Sequence, residues 1–197
     1  ALIQETWPLS EFLKFARQVV LNPRQVQAIA PSSVVLCQAM AAACPDLSGP
    51  VIELGGGTGK VTRALLDAGC RQEDLHIIEI NPDFARMLQE RFPSAHVHQA
   101  SAEDVDTLGI GPASVVVSGL PLLGFSTPMQ ERIIGSAFRA LRPGGAYVQY
   151  TYGLHPPIRE QIRHDLGLEH VVTAHVLWNL PPAHVYRFTK AAGPRPG

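Results

Sequence analysis

Charged side chains are sparse in this sequence, 17% of 197 residues, and they cancel to a net −1. Without a global basic field, the chain does not read as a dedicated nucleic-acid binder, although a local patch stays possible. Cysteine is scarcer. Cys37, Cys44 and Cys70 are an odd number without C-x-x-C spacing, so neither a disulfide framework nor a zinc site is expected, and a reducing compartment is the default. No apolar run reaches the roughly 18 residues that cross a bilayer. The first residues do not read as a signal peptide, and repeats and low-complexity segments are absent. The start at Ala1 rather than Met reads as a processed or trimmed chain. What the chain has in plenty is apolar side chain, 46%, enough for one domain with a full core and too much for disorder.

From Pro50 onward, apolar runs alternate with helical patterns. GPVIELG, DLHIIEI, HVHQA, ASVVV and AYVQYTYG read as strands. KVTRALLDAG reads as a helix closed by Gly69, DFARMLQERF as one started by Asn81-Pro82, and PMQERIIGSAFRALRPGG as one ending at Pro143-Gly144. HVVTAHVLWN and AHVYRFTK then form a strand pair joined through Leu-Pro-Pro, with no helical pattern between them. This order predicts an α/β fold: a parallel sheet with helices on both faces and one antiparallel strand near the edge.

The first strand ends in Glu53-Leu54-Gly55-Gly56-Gly57-Thr58-Gly59-Lys60. Glycines there let backbone amides approach a ligand at the sheet's carboxyl edge. A phosphate-binding loop fails, because Gly55 to Gly59 is one residue short and Val61 follows the lysine. A dinucleotide turn matches in part, but Lys60 stands where the last glycine belongs, and Glu53 would face a pyrophosphate. The same acid suits a cationic ammonium, as on the methionyl end of S-adenosylmethionine. Glu79, ending the second strand, stands where a ribose-binding acid belongs, and Glu103-Asp104 follows the third. Each acid alone could be a solvated loop residue. Three acids in register with successive strand ends favour the methyl donor.

Other features need weighing. The valine strand runs into SGLPLLGF, Ser118 to Phe125. Proline ends the strand by Pro121, yet the side chains stay apolar, so something must cover them. Tyr186 and Lys190 spell Y-x-x-x-K, a dehydrogenase pair that needs a helical turn, but they sit in a strand, where the match is chance. His96 and His98 share one face of a short strand and, without a third ligand nearby, read as structural; no metal is expected. Ahead of the sheet, Ser10 can cap a helix whose stripe holds Leu9, Phe12, Leu13, Ala16, Val19 and Val20, with Trp7 just before it. Such a helix could lie in a membrane surface. Periodicity alone favours a core-covering helix, because only Lys14 and Arg17 are basic on it.

The set ELGGGTG, IIEIN and SGLPLLGF resembles the class I methyltransferases. More narrowly, AIAPSS (28–33), VIELGGGTG (51–59), SGLPLLGF and NLPPAHVYR (179–187) resemble the bacterial phospholipid N-methyltransferases, which convert phosphatidylethanolamine stepwise towards phosphatidylcholine. The likeness runs nearly end to end. A looser one joins the chain to ribosomal RNA adenine dimethyltransferases, which place an Asn-Leu-Pro-Tyr-like motif after the fourth strand. Ser118-Gly119-Leu120-Pro121 lacks both the Asn and the aromatic residue, which argues against clamping a flat base. Relative to the lipid enzymes, Gly56 replaces a common Pro and Gly124 a common Asn.

The resemblance implies a Rossmann-like, mostly parallel seven-stranded sheet in a domain spanning 31–190, after an amphipathic arm over 1–30 and before a flexible tail over 191–197. It implies that Glu53, Gly55, Gly57 and Gly59 hold the methionyl part, Glu79 the ribose, and Ala102 and Glu103 the adenine. Ser33, Thr58, Ile80 and Ser118 complete the expected donor-binding set. Ser118 and Gly119, at the point of transfer, and Tyr150, Tyr152 and His155, around the fifth strand's end, are the candidate catalytic residues. Each of the last three reads more readily as a packing or substrate contact than as a base. Arg187 and Lys190 could meet a lipid phosphate, or be solvated strand ends.

The implied enzyme transfers methyl groups from S-adenosylmethionine, leaving S-adenosylhomocysteine, to phosphatidylethanolamine. It is expected without nucleic acid, cytoplasmic and peripheral on the inner face of the cytoplasmic membrane, its arm on an anionic surface. The lipid reading reverses the preference for a core-covering arm, and it puts an acyl chain or glycerol backbone over SGLPLLGF. The alternatives are a soluble methyltransferase of RNA adenine or a small amine, and a non-catalytic donor-binding module.

Overall fold

The computed structural model describes residues 31–177 and 182–191. The arm helix expected over 1–30, the Trp178–Pro181 connection and residues 192–197 lie outside the described residues. Seven strands form one sheet: β1 (Val51–Leu54), β2 (Leu75–Ile78), β3 (His96–His98), β4 (Ala113–Ser118), β5 (Leu141–Thr151), β6 (Leu168–Val176) and β7 (Ala183–Lys190). Their order is β3-β2-β1-β4-β5-β7-β6. The first five pair in parallel, and β7 inserts antiparallel between β5 and β6. The expected antiparallel strand is therefore second from the edge.

Among the described residues five α-helices flank the sheet: α1 (Pro31–Ala42), α2 (Lys60–Asp67), α3 (Pro82–Arg91), α4 (Thr127–Ala140) and α5 (Glu160–Asp165). Two buried clusters hold the layers together. Leu36, Met40, Leu65, Leu88 and Phe92 of α1, α2 and α3 and the turn after α3 pack on one face with Val51, Val115 and Val148. Ile133, Ile134 and Ala137 of α4 and Ile162 of α5 cover the other with Ile52, Val116 and Tyr147. Because both faces are covered, β4 is buried at all six positions, and its sequence is a continuous valine run rather than an alternation.

Local chemistry sets the helix ends. Asn81 caps α3 with its side-chain oxygen accepting from the Asp83 and Phe84 amides at 2.9 and 3.3 Å, and Pro82 follows it. The helix expected to run to Pro143-Gly144 stops at Ala140, and β5 begins at Leu141. Pro143 disfavours helical backbone at the residue before it, Arg142, so the chain extends there. A helix the sequence reading missed, α5, spans six residues before β6. Ile158, Ile162 and Leu166 recur every fourth residue, and the first two are buried. The Ala191 amide donates to the Gly167 carbonyl at 2.8 Å, so the first residue assigned to the tail is anchored.

Two expectations of placement change. Lys190 pairs opposite Leu168 at the amino-edge end of β7, and Arg187 pairs mid-sheet opposite Val148 and Val171. Neither sits at the carboxyl edge where a lipid phosphate near the donor site would lie. His96 and His98 do have a third histidine beside them. His76 of β2 is opposite His96, their rings 4.6 Å apart, and its Nδ1 is 3.1 Å from His98 Nε2. The neighbour comes from another strand, which sequence spacing could not show. Among the described residues no group of three or more His, Cys, Asp or Glu is placed to hold a metal ion.

Candidate active site

The carboxyl ends of β1, β2 and β4 bring three short segments together. After β1 the chain turns through Gly55 to Gly59 into α2. Gly55 has φ +76°, and a Cβ on it would lie 2.7 Å from Leu120 Cδ2, so the turn and the loop after β4 touch only because this position has no side chain. Gly56 is more crowded: its Cβ would meet Ile77 Cγ2 at 2.4 Å and Leu88 Cδ1 at 2.8 Å. The space a proline would fill is taken up by Ile77 and Leu88.

Two carboxylates organise the turn. Glu79 accepts the Gly57 amide on Oε2 and the Asn81 amide on Oε1, both at 2.8 Å, so it fixes the glycine turn and the start of α3 together. Its remaining lone pairs suit hydroxyl donors such as a ribose diol. The next residue, Ile80, is 71% exposed, an apolar side chain left open beside that acid. Glu53 is fully buried. The Thr62 hydroxyl donates to its Oε2 at 2.6 Å, while Oε1 is a buried oxygen without a partner among the described residues. Burial pushes the Glu53 carboxyl up to about 8, against the lowering effect of Thr62, and the Glu79 charge adds to the rise. A buried carboxylate short of one donor suits a bound ammonium, so the residues present fit the methionyl end of the expected donor.

The rest of the expected donor set is placed as follows. Gly59 lies at the start of α2, and the Thr58 carbonyl accepts from Arg91 at 2.8 Å. Ala102 and Glu103 open a short 3-10 helix, 102–107, after β3. The Glu103 amide is held by Ser101 Oγ at 3.2 Å, and its carboxylate pairs with Arg132 of α4. Ser33 stands in the first turn of α1, and its side chain lies outside the described residues.

The loop after β4 is held from several sides. Ser118 is fully buried, and its Oγ accepts from the Leu120 amide at 3.3 Å. The Gly119 amide donates to the Leu54 carbonyl at 2.9 Å, and a Cβ there would stand 3.2 Å from the Gly55 carbonyl. Gln149 of β5 donates to the Leu120 carbonyl at 2.9 Å while accepting from the Tyr147 hydroxyl at 3.1 Å. Gln130 of α4 donates to the carbonyls of Leu122 and Pro157 at 2.9 and 3.3 Å. Arg159 donates to the Phe125 carbonyl at 3.0 Å.

These contacts answer what covers the apolar exit, and they change the expectation. Leu122 is core, and Leu120 and Phe125 pack against the same cluster, so the protein's own interior covers most of it. Tyr150 and Tyr152 sit edge to face at the end of β5 and past it, 5.4 Å between centroids. Burial raises the Tyr150 hydroxyl above its ordinary value, so it stays a phenol at neutral pH. His155 is exposed on the loop beyond. Sequence reasoning missed Thr62, Gln130 and Gln149, all nearly or fully buried. For the glutamines a signal existed, since a lone polar residue in an apolar run is the informative exception.

Comparison with known proteins adds the following. A family model described as a methyltransferase domain matches residues 51–145. The chain is 30% identical over 186 residues to ornithine lipid N-methyltransferase of Singulisphaera acidiphila, covering 90% of this chain and 95% of that protein. Ribosomal RNA small subunit methyltransferase A of Pseudomonas syringae is 33% identical over 92 residues, 44% of this chain and 33% of that protein. A TehB-like SAM-dependent methyltransferase from Corynebacterium glutamicum has the same fold, with a TM-score of 0.65 at 17% identity over 90% of this chain and 99% of that one. So does the glycopeptide N-methyltransferase MtfA, solved with S-adenosylmethionine, with a TM-score of 0.60 at 15% identity over 80% and 94%.

Proposed function

Because this chain belongs to the class I S-adenosylmethionine-dependent methyltransferases, we propose that it methylates the amine of a membrane lipid. Phosphatidylethanolamine is the proposed acceptor, carried through its mono- and dimethylated forms. The observation that carries the lipid reading is the end-to-end likeness to a lipid N-methyltransferase. The likeness to the ribosomal RNA enzyme stops at a third of that protein's length. The same lipid relative favours a second acceptor, the amine of an ornithine lipid. The enzyme is proposed to work as a peripheral protein on the inner face of the cytoplasmic membrane, its arm over 1–30 against anionic lipid.

In this reading Glu53 Oε1 receives the methionyl ammonium, Glu79 the ribose hydroxyls, and Ile80 with Ala102 and Glu103 the adenine. The bound sulfonium supplies an electrophilic methyl. The acceptor nitrogen must arrive neutral, since a protonated amine has no lone pair, and a cleft that excludes water lowers its pKa. Gln149, Gln130 and Arg159 keep the loop from Ser118 to Phe125 in one shape against the glycine turn, which is the positioning a displacement in line requires. Tyr150, as a phenol, can hydrogen-bond the acceptor and does not serve as a phenolate base.

The test supplies methyl-labelled S-adenosylmethionine with vesicles of phosphatidylethanolamine plus an anionic lipid, and in parallel with ornithine lipid. Label in methylated phosphatidylethanolamine supports the first acceptor and counts the steps. Label only in ornithine lipid selects the second. No label in either lipid, with the donor still bound, overturns the lipid reading in favour of RNA, a small amine or a non-catalytic binding role.

A further inference from the structure

The few charges of this chain are unevenly spread. No Asp, Glu, Lys or Arg occurs between Arg24 and Asp46, between Asp106 and Glu131, between Arg142 and Arg159, or between Glu169 and Arg187. Among the described residues, part of each stretch reaches the carboxyl edge of the sheet. The Asp46 carboxylate pairs with Arg142 at the start of β5, which puts the far end of α1 at the amino edge and its first turn at the carboxyl edge. The exit of β4, the exit of β5 and the end of β6 lie at that same edge. Acids mark only the other half of the edge, at Glu79, Glu103 and Asp104.

Large apolar side chains stand open on this half, where the Arg159 guanidinium is engaged by the Phe125 carbonyl at 3.0 Å. Leu154, just past β5, is 76% exposed, and Leu177, just past β6, is 71% exposed; Val34 and Val35 in the first turns of α1 are about half exposed. They come from separate elements, α1, β5 and β6, whose ends lie at the carboxyl edge. A nucleic acid would need cations turned outward, and Arg159 is engaged by the Phe125 carbonyl. Hydrocarbon needs none.

We propose that this rim, Val34, Val35, Leu154 and Leu177, inserts into the headgroup and acyl boundary of a bilayer, independently of the arm and of anionic lipid. The inference rests on the aminolipid reading and says how the acceptor arrives: a rim immersed by about 5–10 Å sets the mouth of the cleft at the level of the lipid amines.

The test uses the full chain and vesicles of phosphatidylcholine alone, without donor or acceptor amine, so it is separate from turnover. The wild type should sediment with these vesicles equally at low and high salt. Leu154→Asp and Leu177→Asp should each weaken partitioning by about tenfold or more, the order expected for withdrawing one leucine from an apolar phase. Val172→Asp, exposed but mid-strand in β6, should leave it unchanged. A polarity-sensitive dye on Leu154→Cys should shift to the blue on vesicles, which needs no destabilising change. A wild type that stays in solution, rim variants that sediment like it, or a silent dye would each overturn the proposal. So would rim variants that change the oligomeric state in the absence of vesicles, because a second copy of the chain would then cover the rim.

Discussion

Thr62 donates to one oxygen of Glu53 at 2.6 Å and leaves the other, in a fully buried carboxyl, without a partner among the described residues. An unmet acceptor at a strand end is costly in the free protein, by about 1–3 kcal/mol, and is useful only if a donor arrives. Glu53→Gln keeps the shape and removes the charge. It should weaken donor binding by about tenfold or more, since a hydrogen bond to a charged group is worth about 1.5–3 kcal/mol. Calorimetry of the donor reads it, and unchanged affinity would remove Glu53 from the site.

The same carboxyl predicts a pH dependence. Its folded value, about 8, lies above the ordinary 4.5. Between those values the folded chain holds a proton that the unfolded chain has released, so the stability contributed by protonated Glu53 is full below 4.5 and lost as pH rises towards 8. Thermal midpoints of the donor-free protein should fall between about pH 6.5 and 8, above the range in which the buried His76 contributes with the opposite sign, and Glu53→Gln should flatten the slope. An arriving ammonium favours the carboxylate, so donor binding at pH 6.5 should release a proton. Buffers of different ionisation heat would reveal it as different apparent binding enthalpies.

Gly56 predicts a clash with a defined partner. Gly56→Ala brings a Cβ within 2.4 Å of Ile77 Cγ2, an overpacking that costs about 1–3 kcal/mol. Ile77→Ala in the same chain should recover part of that loss. A double-mutant cycle by denaturant unfolding measures the coupling, and strictly additive losses would mean that the two positions do not meet.

Much of this arrangement was legible in the sequence, and the boundary of legibility has a physical cause. Glu53, Gly55 and Glu79 were readable because parallel strands end at a common edge, so acids at successive strand ends converge by topology alone. Thr62, Gln130, Gln149 and His76 act across strands or layers, where contact follows from packing rather than spacing. The apolar exit after β4 calls for a cover that the sequence assigns to a lipid, because proline marks the strand's end but not where Leu122 goes; the structure sends it into the core beneath α4.

Gln149 tests the acceptor loop apart from the donor turn. Gln149→Leu takes one donor from the Leu120 carbonyl, which keeps the Leu122 amide at 2.9 Å, and the acceptor from the Tyr147 hydroxyl, which also bonds Ser118, at a cost in stability of about 0.5–1.5 kcal/mol for each bond lost. If the side chain only supports the fold, rate and both substrate affinities should decline together. If it holds the loop in shape for the acceptor, KM for the aminolipid should rise by about tenfold or more, the reach of a misplaced positioning contact. The dissociation constant of the donor should stay the same, and Gln149→Glu should restore little, because a carboxylate cannot donate to the Leu120 carbonyl.

The histidines on the far side of the sheet oppose Glu53 in sign. Burial, with His96 and His98 close by, pushes His76 from 6.5 down to about 4, so the folded chain keeps it neutral. Its stabilising contribution is complete above 6.5 and is lost as pH falls towards 4, because the unfolded chain takes up the proton first. The effect should reach the donor site, since the Glu79 amide bonds the carbonyl of His98 at 3.0 Å. Charging the cluster strains the edge strand that carries this bond. Between pH 4.5 and 6.5 the two contributions oppose each other, so His76→Phe should let stability rise as pH falls through that range while leaving the fall between 6.5 and 8 assigned to Glu53 in place. Thermal midpoints of the two variants across pH 4 to 9 separate the groups, and a His76→Phe curve that keeps the wild-type acid limb would assign that limb to other residues.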